Sequence, residues 1–529
     1  MVNTILAVGS IRIINYEPGG NTMKISIMDT TLRDGEQTSG VSFNFDEKLS
    51  MAKLLLEDLK VDRIEIASAR VSEGEFEAVK KIASWATIHN DLDKIEVLGL
   101  IDGTASVDWI VGAGCRVINI LTKGSLHHLT HQLHKTPEKH FADTEEVIKY
   151  AISKGLRVNV YLEDWSNGMR NSPEYVHNMI HKLAEQPVGR FMLPDTLGIL
   201  NPDETYAFCN QIISNFPDLK FDFHAHNDYD LATANVYAAL KAGITCLHAT
   251  VNGLGERAGN VPLSSVIAIV HDHFGYKMSI DESKLTLVSK MVETYSGIRI
   301  PPNKPLIGDN VFTQTSGVHA DGDKKNNLYF NDLLPERFGR KRIYALGKTS
   351  GKANIAKNLE ALGIELDPES MKKVTRRIIE LGDKKEMVTQ EDLPYIITDV
   401  LRSKSIEEKI KVMNFSLSTA KGLRPVASLK IKIDGKEYEE SSVGDGQYDA
   451  FMKALRKIYK TLNKDMPRLL DYVVSIPPGG KTDALVQAVI TWGLGKKEIR
   501  TRGLDSDQTV AAIIATIKML NIIEGYSHS

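Results

Sequence analysis

The feature that most constrains this chain is an alternation that runs from Met23 to about Val251. Short runs rich in β-branched residues are each followed by a polar turn and then by a stretch with helical spacing. The runs are Lys24–Asp29, Arg63–Ala67, Ile95–Leu100, Val117–Leu121, Arg157–Leu162, Arg190–Leu193, Lys220–His226 and Cys246–Val251. Between them lie Phe45–Leu59, Ser72–Trp85, Glu138–Ser153, Pro173–Glu185, Pro202–Asn215 and Asp230–Ala242, where apolar residues recur at three- and four-residue intervals and mark one buried stripe per helix. Strands that alternate with helices pair in parallel, because each parallel connection needs a crossover. Eight such units in about 250 residues predict a (β/α)8 TIM barrel over residues 23–278. The alternative, a doubly wound sheet, stops at fewer units.

The 529 residues exceed what one core holds. Residues 279–404 read as a mostly helical linker region, with Gly-, Asn- and Lys-rich loops at Gly317–Asn327 and Gly347–Lys352. Residues 405–529 read as an α+β unit with an internal β-β-α repeat: Pro425–Ile433, Gly435–Tyr438 and Gly444–Leu455 are matched by Asp483–Trp492, Glu498–Arg502 and Ser506–Leu520. Such a duplicated module serves ligand sensing or dimerisation. Residues 1–22 read as a loose leader rather than a secretion signal, because no basic segment precedes a long apolar core. No apolar run reaches the ~18 residues of a membrane span. A net charge of -3 gives no ground for a nucleic acid or an anionic membrane as partner. Cys115, Cys209 and Cys246 lack metal or disulfide spacing. A cytoplasmic protein is expected.

Chemistry in a barrel sits at the C-terminal ends of its strands. The first run leads into Asp29-Thr30-Thr31-Leu32-Arg33-Asp34-Gly35-Glu36-Gln37, which puts a carboxylate for a divalent metal beside a guanidinium that can fork onto a keto-acid carboxylate or an enolate oxygen. The seventh ends in Phe223-His224-Ala225-His226-Asn227-Asp228; two residues apart on a strand, His224 and His226 face the same way. The eighth leads into Asn252–Asn260, where Asn260 can offer an amide oxygen. Asp34, His224, His226 and Asn260 form a candidate divalent-metal site. Imidazole mixed with oxygen donors suits Zn, Mn or Mg without deciding among them. Tyr161 and Glu163 share a face at the fifth mouth position, and Thr196 at the sixth can donate to a substrate carboxylate. His319, in a Gly-flanked loop outside the barrel, is a candidate catalytic histidine. His127, His128, His131 and His134 have no acidic partner at matching spacing and read as a solvated face.

With these stretches assembled, the chain resembles the acetyl-CoA-dependent synthases that make 2-isopropylmalate, citramalate or homocitrate. The resemblance rests on Asp29–Gln37, His224–Asp228, Gly253–Asn260 and Thr315–Gly322, and covers Lys24 to the end. The chain looks especially like the spirochaete-type citramalate synthases, through Ser125–His128, Tyr161–Ser166 and the tail Pro477–Asp483. The resemblance implies that Asp34, His224, His226 and Asn260 bind the metal. It implies that Arg33 supports the enolate of acetyl-CoA and touches the keto acid, that Glu163 pairs with Arg33 in acid/base work, and that Thr196 holds the substrate carboxylate. It further implies that His319, the candidate base, and Tyr329 enter the active site of a partner subunit, giving a homodimer. The C-terminal repeat would bind an amino-acid feedback inhibitor.

The positions that match the family's oxo-acid pocket are Leu98, Leu121 and Tyr161. They make a small apolar pocket that suits the methyl group of pyruvate and crowds the isopropyl group of 2-oxoisovalerate. It offers no cation to the distal carboxylate of 2-oxoglutarate. The expected activity is therefore citramalate synthesis from pyruvate and acetyl-CoA, with isoleucine as inhibitor. The alternative is 2-isopropylmalate synthesis with leucine feedback. A lyase or carboxyltransferase would lack the duplicated C-terminal module, and a non-catalytic amino-acid sensor would not need Arg33, Asp34, His224 and His226.

Overall fold

The computed structural model describes residues 23–362, 364–383, 388–401, 409–475, 486–495 and 497–526. The leader 1–22, the tail Pro477–Asp483 and the first residues of the expected strand Asp483–Trp492 lie outside the described residues. The chain forms two compact units, one of residues up to Phe312 together with Phe330–Arg342, the other of Thr313–Tyr329 and Ile343 onward.

In the first unit eight parallel strands close into a barrel in sequence order. They are β1 (Ser26–Asp29), β2 (Arg63–Ser68), β3 (Ile95–Gly99), β4 (Val117–Lys123), β5 (Arg157–Glu163), β6 (Val188–Asp195), β7 (Phe221–Ala225) and β8 (Cys246–Ala249). β1 pairs with β8, Ser26 opposite Cys246, which completes the ring. Local chemistry starts the surrounding helices. Asn44 accepts from Asp46 and Glu47 N–H groups, and Glu47 returns a bond to Asn44, which opens Phe45–Lys53 with a capping box. Asn201 does the same for Pro202–Asn215, and Thr136 with Pro137 opens Pro137–Ser153. The first expected helix is shorter than its apolar pattern: α-geometry stops at Lys53 and widens to a π-turn over Leu54–Asp58. The pattern also left out Ala105–Gly112, Trp165–Asn171 and Leu263–Ala268.

The apolar core fills the layer between strands and helices, with Ile64, Ile66, Ile118, Ile120, Phe191 and Phe223 essentially unexposed. The inside of the barrel is different. Inward-facing residues there include Arg63, Glu65, Glu96, Asn119, Asn159, Asp222 and His248, joined by hydrogen bonds and ion pairs. A polar network replaces the usual layers of branched side chains. Above it Met28, Leu98, Tyr161 and Met192 form a small apolar cluster with Leu121 against it.

In the second unit the parallel pair β9 (Thr313–Gln314) and β10 (Ile343–Tyr344) accompanies helices Gly317–Lys324, Lys352–Ala361, Pro368–Asp383 and Leu393–Leu401. Ile355, Leu359, Val374, Ile378 and Leu393 are the buried centre of this part. The C-terminal repeat is larger than expected. Each half is three antiparallel strands and a helix, not two strands and a helix. The halves are β11 (Ile410–Ser418), β12 (Val426–Ile433) and β13 (Lys436–Val443) with Gln447–Thr461, then β14 (Arg468–Ser475), β15 (Val486–Leu494) and β16 (Lys497–Asp505) with Gln508–Tyr526. The opening strands escaped the pattern because each is an edge strand whose register slips, at Val412/Asn414 and at Leu469/Asp471, so the two-residue period breaks midway. The two halves share one core, with Phe451 and Leu455 from the first and Trp492 and Met519 from the second. No described helix is long and apolar enough to cross a membrane.

Candidate metal centre and its surroundings

The loop after β1 is wound tightly. Thr30 C=O accepts from the N–H groups of Arg33, Asp34 and Gly35, and the Asp29 carboxylate accepts from the N–H and hydroxyl of Thr31. This turns the Asp34 side chain toward β7. There His224 Nε2 lies 3.2 Å and His226 Nε2 3.8 Å from Asp34 Oδ2. Asp34, His224 and His226 each offer a ligand atom, and these atoms lie within 4.8 Å of one another, the span of donors around one ion. Asn260 joins them because residue 226 and residue 260 form an antiparallel bridge. Its Nδ2 donates to Leu254 C=O at 3.1 Å, leaving Oδ1 free. Gly255, at φ +150°, makes room for that amide: a Cβ there would stand 2.2 Å from Asn260 Nδ2.

Four buried atoms at this spot have no hydrogen-bond partner: Asp34 Oδ1, His224 Nδ1, His226 Nδ1 and Asn260 Oδ1. Buried polar atoms are normally satisfied. The orphaned oxygens of Asp34 and Asn260, together with the imidazole Nε2 atoms that face Asp34, fit a divalent cation. Burial alone would raise the Asp34 carboxyl, but Arg33 and the two imidazoles hold it well below the usual carboxylate range. Burial pushes His226 down to about 4 against the pull of Asp34, so the ring is neutral and its lone pair is available near neutral pH.

Arg33 stands beside this cluster. Its Nε donates to Glu65 on β2, its Nη1 to Asp34 Oδ2 at 3.0 Å and its Nη2 to the Tyr161 hydroxyl at 3.4 Å. The expected pairing of Arg33 with Glu163 is thereby corrected. β2 is the neighbour of β1, whereas Glu163 ends β5 across the barrel and is bound by Lys123, its register partner on β4. Glu65 is unexposed, and Asn119 Nδ2 donates to its second oxygen at 2.7 Å. Leu98 and Tyr161 pack with Met28 and Met192 in one apolar cluster, and Leu121 lies against it. Thr196 is half-buried, and its hydroxyl oxygen accepts from Asp164 N–H at 2.9 Å. His319 and Tyr329 belong to the second unit, where their rings lie 4.2 Å apart and His319 Nδ1 is 3.2 Å from Gln314 Oε1. Within the histidine cluster after β4, His127 and His131 pack ring to ring at 4.6 Å, and His128 Nε2 lies 3.4 Å from Asp164.

Residues 24–292 match the HMGL-like family, residues 306–386 the homocitrate synthase post-HMGL domain-like family, and residues 387–524 the LeuA allosteric (dimerisation) domain. The putative (R)-citramalate synthase CimA of Archaeoglobus fulgidus is 36% identical over 95% of this chain and 100% of its own length. The chain belongs to the LeuA/CimA family of acetyl-CoA-dependent synthases. The (R)-citramalate synthase CimA of Methanocaldococcus jannaschii is 33% identical over 95% of this chain and 100% of its own length. The probable 2-isopropylmalate synthase of Methanopyrus kandleri is 34% identical over 94% and 98%.

In this synthase a second trio, Asp222, Cys246 and His248, also brings metal-ligand types together. The cation there is already present: Arg63 Nη2 lies 2.6 Å from Asp222 and 2.8 Å from Cys246 Sγ. Burial alone would raise the Asp222 carboxyl, but Arg63, His248 and Arg190 hold it well below the usual range. Two functional neighbours of the synthase site were absent from the sequence reading, Glu65 beneath Arg33 and His248 behind Tyr161. The signal that pointed to them is the presence of charged and imidazole side chains inside β-branched runs that a closed barrel buries on both faces.

Proposed function

We propose that this synthase is an (R)-citramalate synthase, condensing acetyl-CoA with pyruvate and hydrolysing the thioester to release CoA. The observation that carries the reading is the apolar cluster of Met28, Leu98, Tyr161 and Met192, with Leu121 packed against it and Arg33 Nη2 3.4 Å from the Tyr161 hydroxyl. A pocket with these walls suits a methyl group. These side chains would crowd an isopropyl group, and none of them brings a cation to a distal carboxylate. Asp34, His224, His226 and Asn260 would hold a divalent ion, Zn, Mn or Mg, which supplies Lewis-acid polarisation of a ketone.

Arg33, with its Nε engaged by Glu65, keeps its Nη face for the 2-oxo acid and for the enolate oxygen of acetyl-CoA. Thr196 donates its hydroxyl hydrogen to the substrate carboxylate. His319 takes a proton from the acetyl methyl group. The new carbon–carbon bond forms to the keto carbon, the resulting alkoxide gains a proton, and water cleaves the thioester. Glu163 takes part in this acid/base work from the rim, with Lys123 as its partner. Holding both substrates in one pocket supplies much of the rate.

The same reading divides the chain into a catalytic barrel at 23–278, a helical linker at 279–404 that carries His319 and Tyr329 to a partner subunit, and a regulatory domain at 405–529. It takes the enzyme as a cytoplasmic homodimer with isoleucine as feedback inhibitor. The test is CoA release, followed with a thiol reagent, across a panel of 2-oxo acids with and without isoleucine and leucine. Pyruvate is expected to turn over fastest and isoleucine to inhibit. Faster turnover of 2-oxoisovalerate than of pyruvate at equal concentrations overturns the reading in favour of 2-isopropylmalate synthesis.

A further inference from the structure

The inside of the barrel holds a chain of contacts that the chemistry above does not use. Asp222 on β7 and His248 on β8 both point inward and are unexposed. His248 Nε2 is 3.2 Å from Asp222 Oδ2, and His248 Nδ1 is 3.1 Å from the Tyr161 hydroxyl. Asp222 is itself fixed, by Arg63 Nη2 at 2.6 Å and Arg190 Nη1 at 2.9 Å. A carboxylate between two guanidinium groups is acceptor-only, so the facing ring nitrogen of His248 carries a hydrogen and donates it. The other partners of the Tyr161 hydroxyl, Arg33 Nη2 and Glu65 Oε2, are both at 3.4 Å, so the bond to His248 is its shortest.

We propose that Asp222 and His248 are positioning residues that hold the Tyr161 ring as a fixed wall of the 2-oxo acid pocket, and that this hold sets which 2-oxo acid the enzyme takes. The proposal rests on the pocket reading above. The physical reason is leverage. A tyrosine ring swings about its Cα–Cβ and Cβ–Cγ bonds, and a hydrogen bond at the far hydroxyl resists that swing best. Tyr161 also packs edge-on against the rings of His248 and His224, at 5.7 and 6.2 Å between centroids. Displacing it would open the pocket on the side that faces the candidate metal ligands. A wall that yields by the size of one methylene loses about 10–200-fold in discrimination.

The experiment uses the metal-loaded full-length enzyme and compares His248→Leu, Tyr161→Phe, their double variant and His248→Asn, which restores an amide near the place of Nδ1. kcat and KM are measured for pyruvate and for 2-oxobutyrate, its next larger homologue. His248→Leu and Tyr161→Phe are each expected to lower the preference for pyruvate about tenfold, mainly through KM. The double variant should be no worse than either alone, because both changes break one bond. His248→Asn should recover most of the preference. Losses that multiply in the double variant, or a fall in kcat at unchanged preference, overturn the proposal. Should His248→Leu fail to fold, Tyr161→Phe and His248→Asn still decide it. Should the wild type prefer another 2-oxo acid, the functional reading falls, and the same ratio, taken between that acid and its next homologue, still tests the positioning role.

Discussion

Arg33 is anchored by Glu65, through a bond from its guanidinium Nε to a carboxylate that is wholly enclosed by the barrel. The anchor matters because the remaining guanidinium nitrogens face Asp34 and Tyr161, where substrate oxygen is expected. Glu65→Gln keeps the shape and one acceptor but removes the charge that orients Arg33. It is expected to lower kcat about 10²-fold, the size of effect seen when a preorganised oxyanion donor is lost. CoA release at saturating substrate measures it, and a variant as fast as the wild type refutes it. Glu65→Ala is a poorer choice, since it leaves a buried void and takes the acceptor from both Arg33 Nε and Asn119 Nδ2.

The barrel was legible because its period of strand and helix is written in apolar spacing, and His224 and His226 were legible because a two-residue step on a strand keeps one face. Glu65 and His248 were not. Parallel strands in a barrel are buried on both sides, so spacing alone does not tell which polar residue turns inward to meet Arg33 or Tyr161. Ion pairing across the barrel is also invisible along the chain: Glu163 shares a face with Tyr161, yet its cation is Lys123 on the adjacent strand. Gly255 lies within the Asn252–Asn260 stretch, and that it makes room for the Asn260 amide is visible only in the folded loop.

The pH dependence of stability follows from buried histidines. His140 is unexposed, and its Nε2 accepts from Lys123 N–H at 3.2 Å. Burial, reinforced by Lys135, lowers it from 6.5 to about 4. Burial likewise takes His226 to about 4 and His248 to about 3. At these three positions the unfolded chain binds protons that the native state refuses, and their contribution to stability rises with pH between about 4 and 6.5. Asp29 opposes this, because burial raises it to about 7 and the native state keeps its proton while the unfolded chain releases it. Glu75 and Asp195, also raised by burial, act as Asp29 does, so three carboxyls oppose the three histidines and the histidine contribution is read by difference. Melting temperatures of chelator-treated enzyme are compared between pH 4 and 6.5 for wild type and His140→Gln. The variant should lower the slope of stability against pH by one proton, about 1.4 kcal/mol per pH unit at most. Equal slopes for variant and wild type would show that His140 takes up its proton in the folded state.

Pocket size should be tunable at Leu121, which packs against the cluster of Leu98, Tyr161, Met28 and Met192 while only partly buried itself. Leu121→Ala removes a wall without the full cavity cost of a core leucine. The ratio of kcat/KM for 2-oxoisovalerate to that for pyruvate is expected to rise about 10–200-fold. An unchanged ratio would place the substrate side chain elsewhere in the barrel mouth.

The metal site has a test that spares every ligand. Gly255 N–H donates to the Thr38 hydroxyl at 2.8 Å, and its φ of +150° is one that side chains rarely adopt. Gly255→Ala would drive a methyl group into the Asn260 amide, so Asn260 must turn away from Leu254 C=O and carry Oδ1 out of line with Asp34, His224 and His226. Losing the orientation of a ligand while keeping the ligand costs about 10–100-fold in metal affinity. Titration calorimetry of the metal-free enzyme with Mn or Zn should show that loss, and kcat at saturating metal should change less than affinity does. An Asn260→Ala variant sets the limit, since it lacks the oxygen altogether. If Gly255→Ala binds metal as the wild type does while Asn260→Ala does not, the amide reaches the ion by a route that the glycine does not control. If neither variant loses affinity, Asp34, His224 and His226 hold the ion without residue 260.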